Sequence, residues 1–166
     1  MVKSKFILIA AMIVIAGIWA AVFFFPSEEK KVKKQFSLLS EWISKDPSEN
    51  TLTMARKVKN IGTLFAERCE LREPVYPLSG SYTREEITSI ALRGRAHFFD
   101  LSLKFYDLNI SFPEEGVARV TLTAKLTGKS TSGEQMDETR ELECLLRKID
   151  NQWLFSQLEV VEVLKK

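Results

Sequence analysis

Near Asp100 the apolar residues change their period. Upstream, Val32, Phe36, Leu39 and Ile43 step by four, three and four, with Trp42 alongside. Downstream, Ala118, Val120, Leu122, Ala124 and Leu126 interleave with Arg119, Thr121, Thr123, Lys125 and Thr127. The first spacing turns one stripe of a helix inward; the second turns inward one face of a strand. Helices come first and strands last, with no alternation of the two. That order predicts an α+β fold in which helices cover one face of an antiparallel meander.

The helical part divides into three. Pro26 breaks the chain and Ser27 caps a helix with Glu28 and Glu29 in its first turn, where acids suit the positive end of the dipole; it runs to about Lys45, before Asp46-Pro47-Ser48. A second helix starts near Thr51, and Leu52, Ala55, Val58, Ile61, Phe65 and Cys69 keep helical spacing for five turns. Residues 72–82, rich in proline, serine and glycine, read as a loop after a short extended piece at 70–72. Thr83-Arg84-Glu85-Glu86 matches a capping box, which opens a third helix carrying Ile87, Ile90, Ala91 and Phe98 inward.

In the strand region, Leu108, Ile110 and Phe112 share a face that is out of phase with Leu101, Leu103 and Phe105. This predicts a bulge or bend near 105–107. Pro113–Gly116 turns the chain, and 128–135 connects to a strand whose core face is Leu142, Cys144 and Leu146. Asp150-Asn151, two residues that tolerate left-handed backbone, closes a terminal hairpin. Strict alternation through its last strand places Leu154, Leu158 and Val160 on one face and Trp153, Phe155, Val161 and Val163 on the other. That is more apolar surface than one core needs, which marks the hairpin as a candidate partner surface.

Phe6–Phe25 is an uncharged run of 20 residues. As a helix it would span about 30 Å, the thickness of a bilayer's hydrocarbon core. Residues 1–27 therefore read as a transmembrane signal anchor, and residues 28–166 as the domain, with 28–46 doubling as a helical stalk. A cleavable signal peptide is the competing reading, but Ile18 or Trp19 falls where a cleavage site wants a small residue. Lys3 and Lys5 precede the run and Lys30, Lys31, Lys33 and Lys34 follow it, so the flanks are nearly balanced. The short basic tail favours a single-pass protein of a bacterial inner membrane with its domain outside the cytoplasm. Net charge is +2, and with two lysines and no acid in residues 1–27 the remainder is neutral. A neutral domain of interspersed signs lacks the basic footprint of a nucleic-acid binder.

The helix-helix-loop-helix lead-in, the bent hairpin "FYDLNISFPEEGVARVTLTAKLTG" and the closing pair "ELECLLRKIDNQWLFSQLEVVEVL" together resemble the nuclear transport factor 2-like superfamily. The resemblance spans roughly residues 30–166 and implies a strongly curved sheet wrapped round a long helix into a cone. Members include ketosteroid isomerase-like and polyketide cyclase-like enzymes, ligand binders and assembly modules, so the fold says little about activity. In layout the chain also resembles single-span scaffold subunits of bacterial secretion systems. Enzymatic members need acid–base groups in the cone, and no position here matches such a motif: Asp100, Asp107 and Asp137 fall at strand ends or loops.

The remaining candidates are few. His97, the sole histidine, would need Asp100 to orient it as a general base; a hydrogen-bonded histidine at a helix end is the plainer reading, and one histidine excludes a multi-histidine metal site. Tyr106 is the only tyrosine within an expected strand, and Trp153 opens the last one, so His97, Tyr106 and Trp153 are the pocket candidates. Cys69 and Cys144 lie 75 positions apart, not in zinc spacing. In an oxidising compartment they would close a long loop worth about 4 kcal/mol, but two buried thiols are the ordinary expectation. Asn109-Ile110-Ser111 is a sequon by chance within a strand. No cofactor or metal motif is present. The expectation is a membrane-tethered, non-enzymatic interaction module, pairing with a protein partner or itself through the sheet face. The alternative is a small hydrophobic ligand binder, or an isomerase- or dehydratase-like enzyme, using the cone as its pocket; it predicts a deep cavity with convergent polar groups.

Overall fold

The computed structural model describes residues 27–73 and 79–163. The chain divides into two units, Met1–Lys31 and Val32–Lys166. Of the first, only the start of helix α1 (Glu28–Ile43) falls among the described residues, with Lys30 N–H donating to Ser27 Oγ at 3.3 Å and Lys31 paired to Glu28 at 2.8 Å. The expected span Phe6–Phe25 lies outside the described residues. Among these, no helix is long and apolar enough to cross a membrane.

The second unit contains the rest of α1, then α2 (Thr51–Thr63) and α3 (Arg84–His97). Its strands are β1 (Phe65–Arg72), β2 (Gly80–Thr83), β3 (Phe98–Glu114), β4 (Val117–Ser130), β5 (Gln135–Ile149) and β6 (Gln152–Val163). They form one sheet in the order β2-β1-β6-β5-β4-β3. Every pairing is antiparallel except β1 with β6, which is parallel, so the expected antiparallel meander is a mixed sheet. The three helices pack on it as an α+β unit of the cone-like kind.

The local signals give the elements they predict. Asn50 Oδ1 accepts from Thr53 N–H at α2, and Thr83 and Glu86 form both halves of the capping box at α3. Asp107 adopts φ 55° at a register shift between Tyr106 and Asn109, so Leu103 and Phe105 before the bulge and Leu108 and Ile110 after it all reach the core. Asp150 and Asn151, at φ 47° and 63°, make the paired left-handed turn a two-residue hairpin requires.

Three expectations are corrected. The second helix does not run to Cys69; it stops at Thr63, and Phe65–Arg72 is a strand. The Leu64 carbonyl accepts from Phe155 N–H at 2.9 Å and Phe65 pairs with Phe155, so the sheet captures a segment whose spacing also suits a helix. The loop at 72–82 ends in a short strand, since Gly80–Thr83 pairs with β1 and covers its outer edge. The last strand does not alternate strictly. Its register against β5 slips at Ser156, which returns Trp153 and Phe155 to the same face as Leu158 and Val160, and slips again at Val161. Leu154 is buried as well, leaving Val161 exposed at 60%.

α1 lies along the core face. Val32, Phe36 and Leu39, within the segment read as a stalk, are buried. Phe36 meets Phe105 and Phe155 edge-to-face, with centroids 5.4 and 5.0 Å apart. Such pairs contribute about 0.5–1.5 kcal/mol each beyond the burial itself. Phe65 and Trp153 complete the aromatic filling, while Phe98 is only half-buried.

Candidate functional site

The three pocket candidates lie on three different elements, His97 at the end of α3, Tyr106 within β3 and Trp153 in β6. His97 is exposed just before β3 begins, with its ring edge on Phe98 at 5.4 Å and its carbonyl accepting from Thr131 N–H. Asp100 does not orient the imidazole: its carboxylate accepts from Lys129 N–H at 3.1 Å. Tyr106, halfway along and 45% exposed, is opposite Thr123 on the outward face. Trp153 is buried at the far end, 5.7 Å from the Phe112 ring. Eight or nine residues of strand, roughly 30 Å, separate His97 from Tyr106. The structure does not bring these groups together.

Cys69 and Cys144 are free and fully buried. Burial, with a smaller contribution from the Glu70 charge, pushes the Cys69 thiol up to about 12, and burial followed by Cys69 and Glu143 raises Cys144 further. Strand β6 runs between β1 and β5, so two inter-strand steps, about 10 Å of backbone, separate them. Disulfides need Cα atoms within about 7 Å. The bridged alternative is not the arrangement formed.

The buried charges lie where α1 ends. Glu49, 2% exposed, accepts from Arg95 Nη2, and from Lys57 Nζ at 2.7 Å. Arg95, 1% exposed, also donates through Nη1 to the carbonyls of Trp42, Ile43 and Ser44. Lys45 returns the arrangement, its Nζ donating to the Arg95 and Phe98 carbonyls at the end of α3. Burial raises the Glu49 carboxyl, but the hydrogen bonds and charges of Lys57 and Arg95 outweigh it and hold the group below the usual carboxylate range. The last turn of α1 carries no cation of its own, so its carbonyls need a donor from elsewhere. Sequence reasoning missed Arg95 because it searched α3 for apolar residues; the missing cation in α1 was the available signal. With these donors spent on helix ends, the cluster is a clamp between helices and not an acid–base pair.

Three concavities stand out among the described residues. A depression of about 340 Å³ on the outward sheet face is lined by Asp107, Asn109, Thr121, Thr123, Glu141 and Glu143, with Val161 at its side. A groove of about 610 Å³ runs between α2 and α3. A cleft of about 270 Å³ opens between α1 and β3, lined by Phe36, Phe105 and Leu108 with Lys33, Ser37 and Ser40. In this cleft the Ser40 hydroxyl is fixed by the Leu103 carbonyl at 2.6 Å. Among the described residues, no group of three His, Cys, Asp or Glu side chains is placed to hold a metal.

No protein-family model matches the chain, and no curated protein sequence is similar to it. Solved structures are. A candidate scytalone dehydratase from Novosphingobium aromaticivorans superposes with a TM-score of 0.62 at 20% identity, over 80% of this chain and 82% of that one. A candidate dehydratase of the nuclear transport factor 2-like family from Streptomyces avermitilis gives 0.64 at 14% identity, over 84% and 99%. The chain has the nuclear transport factor 2-like fold. A candidate calcium/calmodulin-dependent protein kinase II association domain from Xanthomonas campestris shares it, at 0.55 and 12% identity over 78% and 80%. At these identities the likeness is one of fold, and the fold carries enzymes and association domains alike.

Proposed function

We propose that this protein is a small-ligand-binding domain of the nuclear transport factor 2-like fold, held at a membrane by residues 6–25, and that it binds without acid–base catalysis. The observation that supports it is the cleft between α1 and β3. Its floor is the edge-to-face pair Phe36–Phe105, and its polar groups are two serine hydroxyls and one ammonium. At about 270 Å³ it is just smaller than the usual ligand site and suits a molecule of one or two rings. The aromatic filling of the interior opposes the deep catalytic cavity of an isomerase- or dehydratase-like enzyme. The buried carboxylate Glu49 is committed to the helix clamp. The dehydratase-like neighbours favour a ligand-binding reading over a purely structural one, and the cleft is where a ligand fits.

The test is saturation-transfer NMR with a small aromatic probe such as 2-naphthol, on the full chain in lipid nanodiscs. Ser37 is exposed at the rim, so Ser37→Trp fills the cleft without disturbing the core. Transfer to the probe is expected with the wild-type chain and is lost in the variant. Equal transfer from both, or none from the wild type beyond empty discs, overturns the reading.

A further inference from the structure

The hydroxyl proton of Ser40, on the wall of the α1–β3 cleft, is already spent. β3 is the last strand of the sheet, so on its outer side it has no strand neighbour. The end of α1 stands in for one. Lys45 exchanges both backbone bonds with Leu101. Two residues further on, Ser40 Oγ donates to the Leu103 carbonyl at 2.6 Å and Ser44 Oγ accepts from Leu103 N–H at 3.0 Å. Leu103 is half-buried, so a Ser40 hydroxyl turned towards a ligand would strand that carbonyl without a donor. Ser37, one turn earlier on the same wall, donates to the Lys33 carbonyl of its own helix at 3.2 Å.

A hydroxyl oxygen carries two acceptor lone pairs besides its proton. With the proton fixed on the strand edge, what Ser40 offers the cleft is an acceptor. The side chains of Phe36, Phe105 and Leu108 around it are apolar. Lys33 borders the cleft seven positions before Ser40, about 10 Å away along the helix axis, so one ligand atom does not meet both. An acceptor set in an apolar wall is satisfied by a ligand O–H or N–H, whereas an ether oxygen or a carboxylate sets lone pair against lone pair. Given the ligand-binding reading of this cleft, we propose that Ser40 makes it selective for aromatic ligands that carry a hydrogen-bond donor, in preference to their methylated analogues and to aryl carboxylates. Ser40 then holds β3 with its proton and reads the ligand with its lone pair.

The experiment titrates the full chain in lipid nanodiscs by saturation-transfer NMR, corrected for empty discs, with two matched pairs: 2-naphthol against 2-methoxynaphthalene, and indole against 1-methylindole. The donor of each pair is expected to bind about fivefold more tightly than its methylated analogue, the worth of one net hydrogen bond. In Ser40→Ala that ratio falls to about one, and in Ser40→Thr, which keeps the hydroxyl, it persists. Circular dichroism melts check that both variants fold; the wild-type ratios decide the question without them. Equal binding within each pair, lost from both members in Ser37→Trp, leaves the cleft as a ligand site and overturns the donor preference. A Ser40→Ala variant that weakens all four probes by the same factor makes the serine purely structural and overturns it too. Tighter binding of 2-naphthoate than of 2-naphthol assigns the preference to Lys33, again against the proposal. No transfer to either donor removes the ligand-binding reading itself and this inference with it.

Discussion

Glu49→Gln removes one charge from the clamp and almost no volume. In the native chain the Glu49 carboxylate, 2% exposed, accepts from Arg95 at 1% exposure and from Lys57 at 21%. The glutamine still accepts one bond, but the guanidinium is left buried against neutral carbonyls. Removing one member of a buried pair costs about 3–5 kcal/mol. Lys57 regains hydration through its exposed fraction, which favours the lower end, about 3 kcal/mol. For a chain of this size that lowers Tm by roughly 6–12 °C. Urea unfolding followed by tryptophan fluorescence measures it as a lower midpoint at constant slope. Acid supplies a second signature. Because the Glu49 carboxyl is depressed in the fold, its contribution is complete above its ordinary value of 4.5 and is lost as pH falls through the lower folded value. The gap between wild type and variant therefore closes below about pH 4.5. Asp46 and Glu86, held low by the Ser48 and Thr83 backbone N–H groups, titrate in both proteins and cancel in the difference. A loss under about 1 kcal/mol at neutral pH, typical of a surface pair, or a gap that persists in acid, would refute the reasoning.

Gly128 is pressed against β3: a Cβ would lie 2.5 Å from the Asp100 carbonyl oxygen and 3.2 Å from Leu101 Cδ1. Gly128→Ala is expected to cost about 1–3 kcal/mol, read as a lower calorimetric Tm; an unchanged Tm would show that β3 retreats freely. Both thiols should resist a disulfide reagent at pH 8 in the native chain, Cys69 being pushed up to about 12, and both should react in urea without prior reduction. Fewer than two reactive thiols in urea would point to oxidation. The full chain should resist carbonate extraction from membranes and a chain lacking residues 6–25 should not; release of the full chain would remove the tether from the proposed function.

The parts of the fold legible in the residues are those whose cause lies within a few positions. The capping box at Thr83–Glu86, the turn at Asp150-Asn151 and the change of phase that locates the Asp107 bulge all belong to this kind. β1 and β6 belong to another. The apolar spacing of Phe65 and Cys69 suits a helix as well as a strand, and the choice falls to Phe155, 90 residues away in the chain, whose N–H the Leu64 carbonyl accepts. In β6 the slip at Ser156 leaves no composition signal, yet it decides that Trp153 shares a face with Leu158 and Val160.

The candidate sites divide the same way. His97, Tyr106 and Trp153 were selected by residue type and fall on three separate elements, α3, β3 and β6. The α1–β3 cleft and the α2–α3 groove arise from the approach of separate elements, Phe36 to Phe105 and Gly62 to Thr88. By itself the sequence determined the α+β class, the succession of elements and their caps and turns, because periodicity and local hydrogen bonding act along the chain. Only the tertiary structure decided the parallel β1–β6 pairing, the burial of Arg95 and Glu49, and where concave surface is left. Those depend on long-range pairing, and on donors and acceptors that become neighbours only once the sheet has closed over the helices.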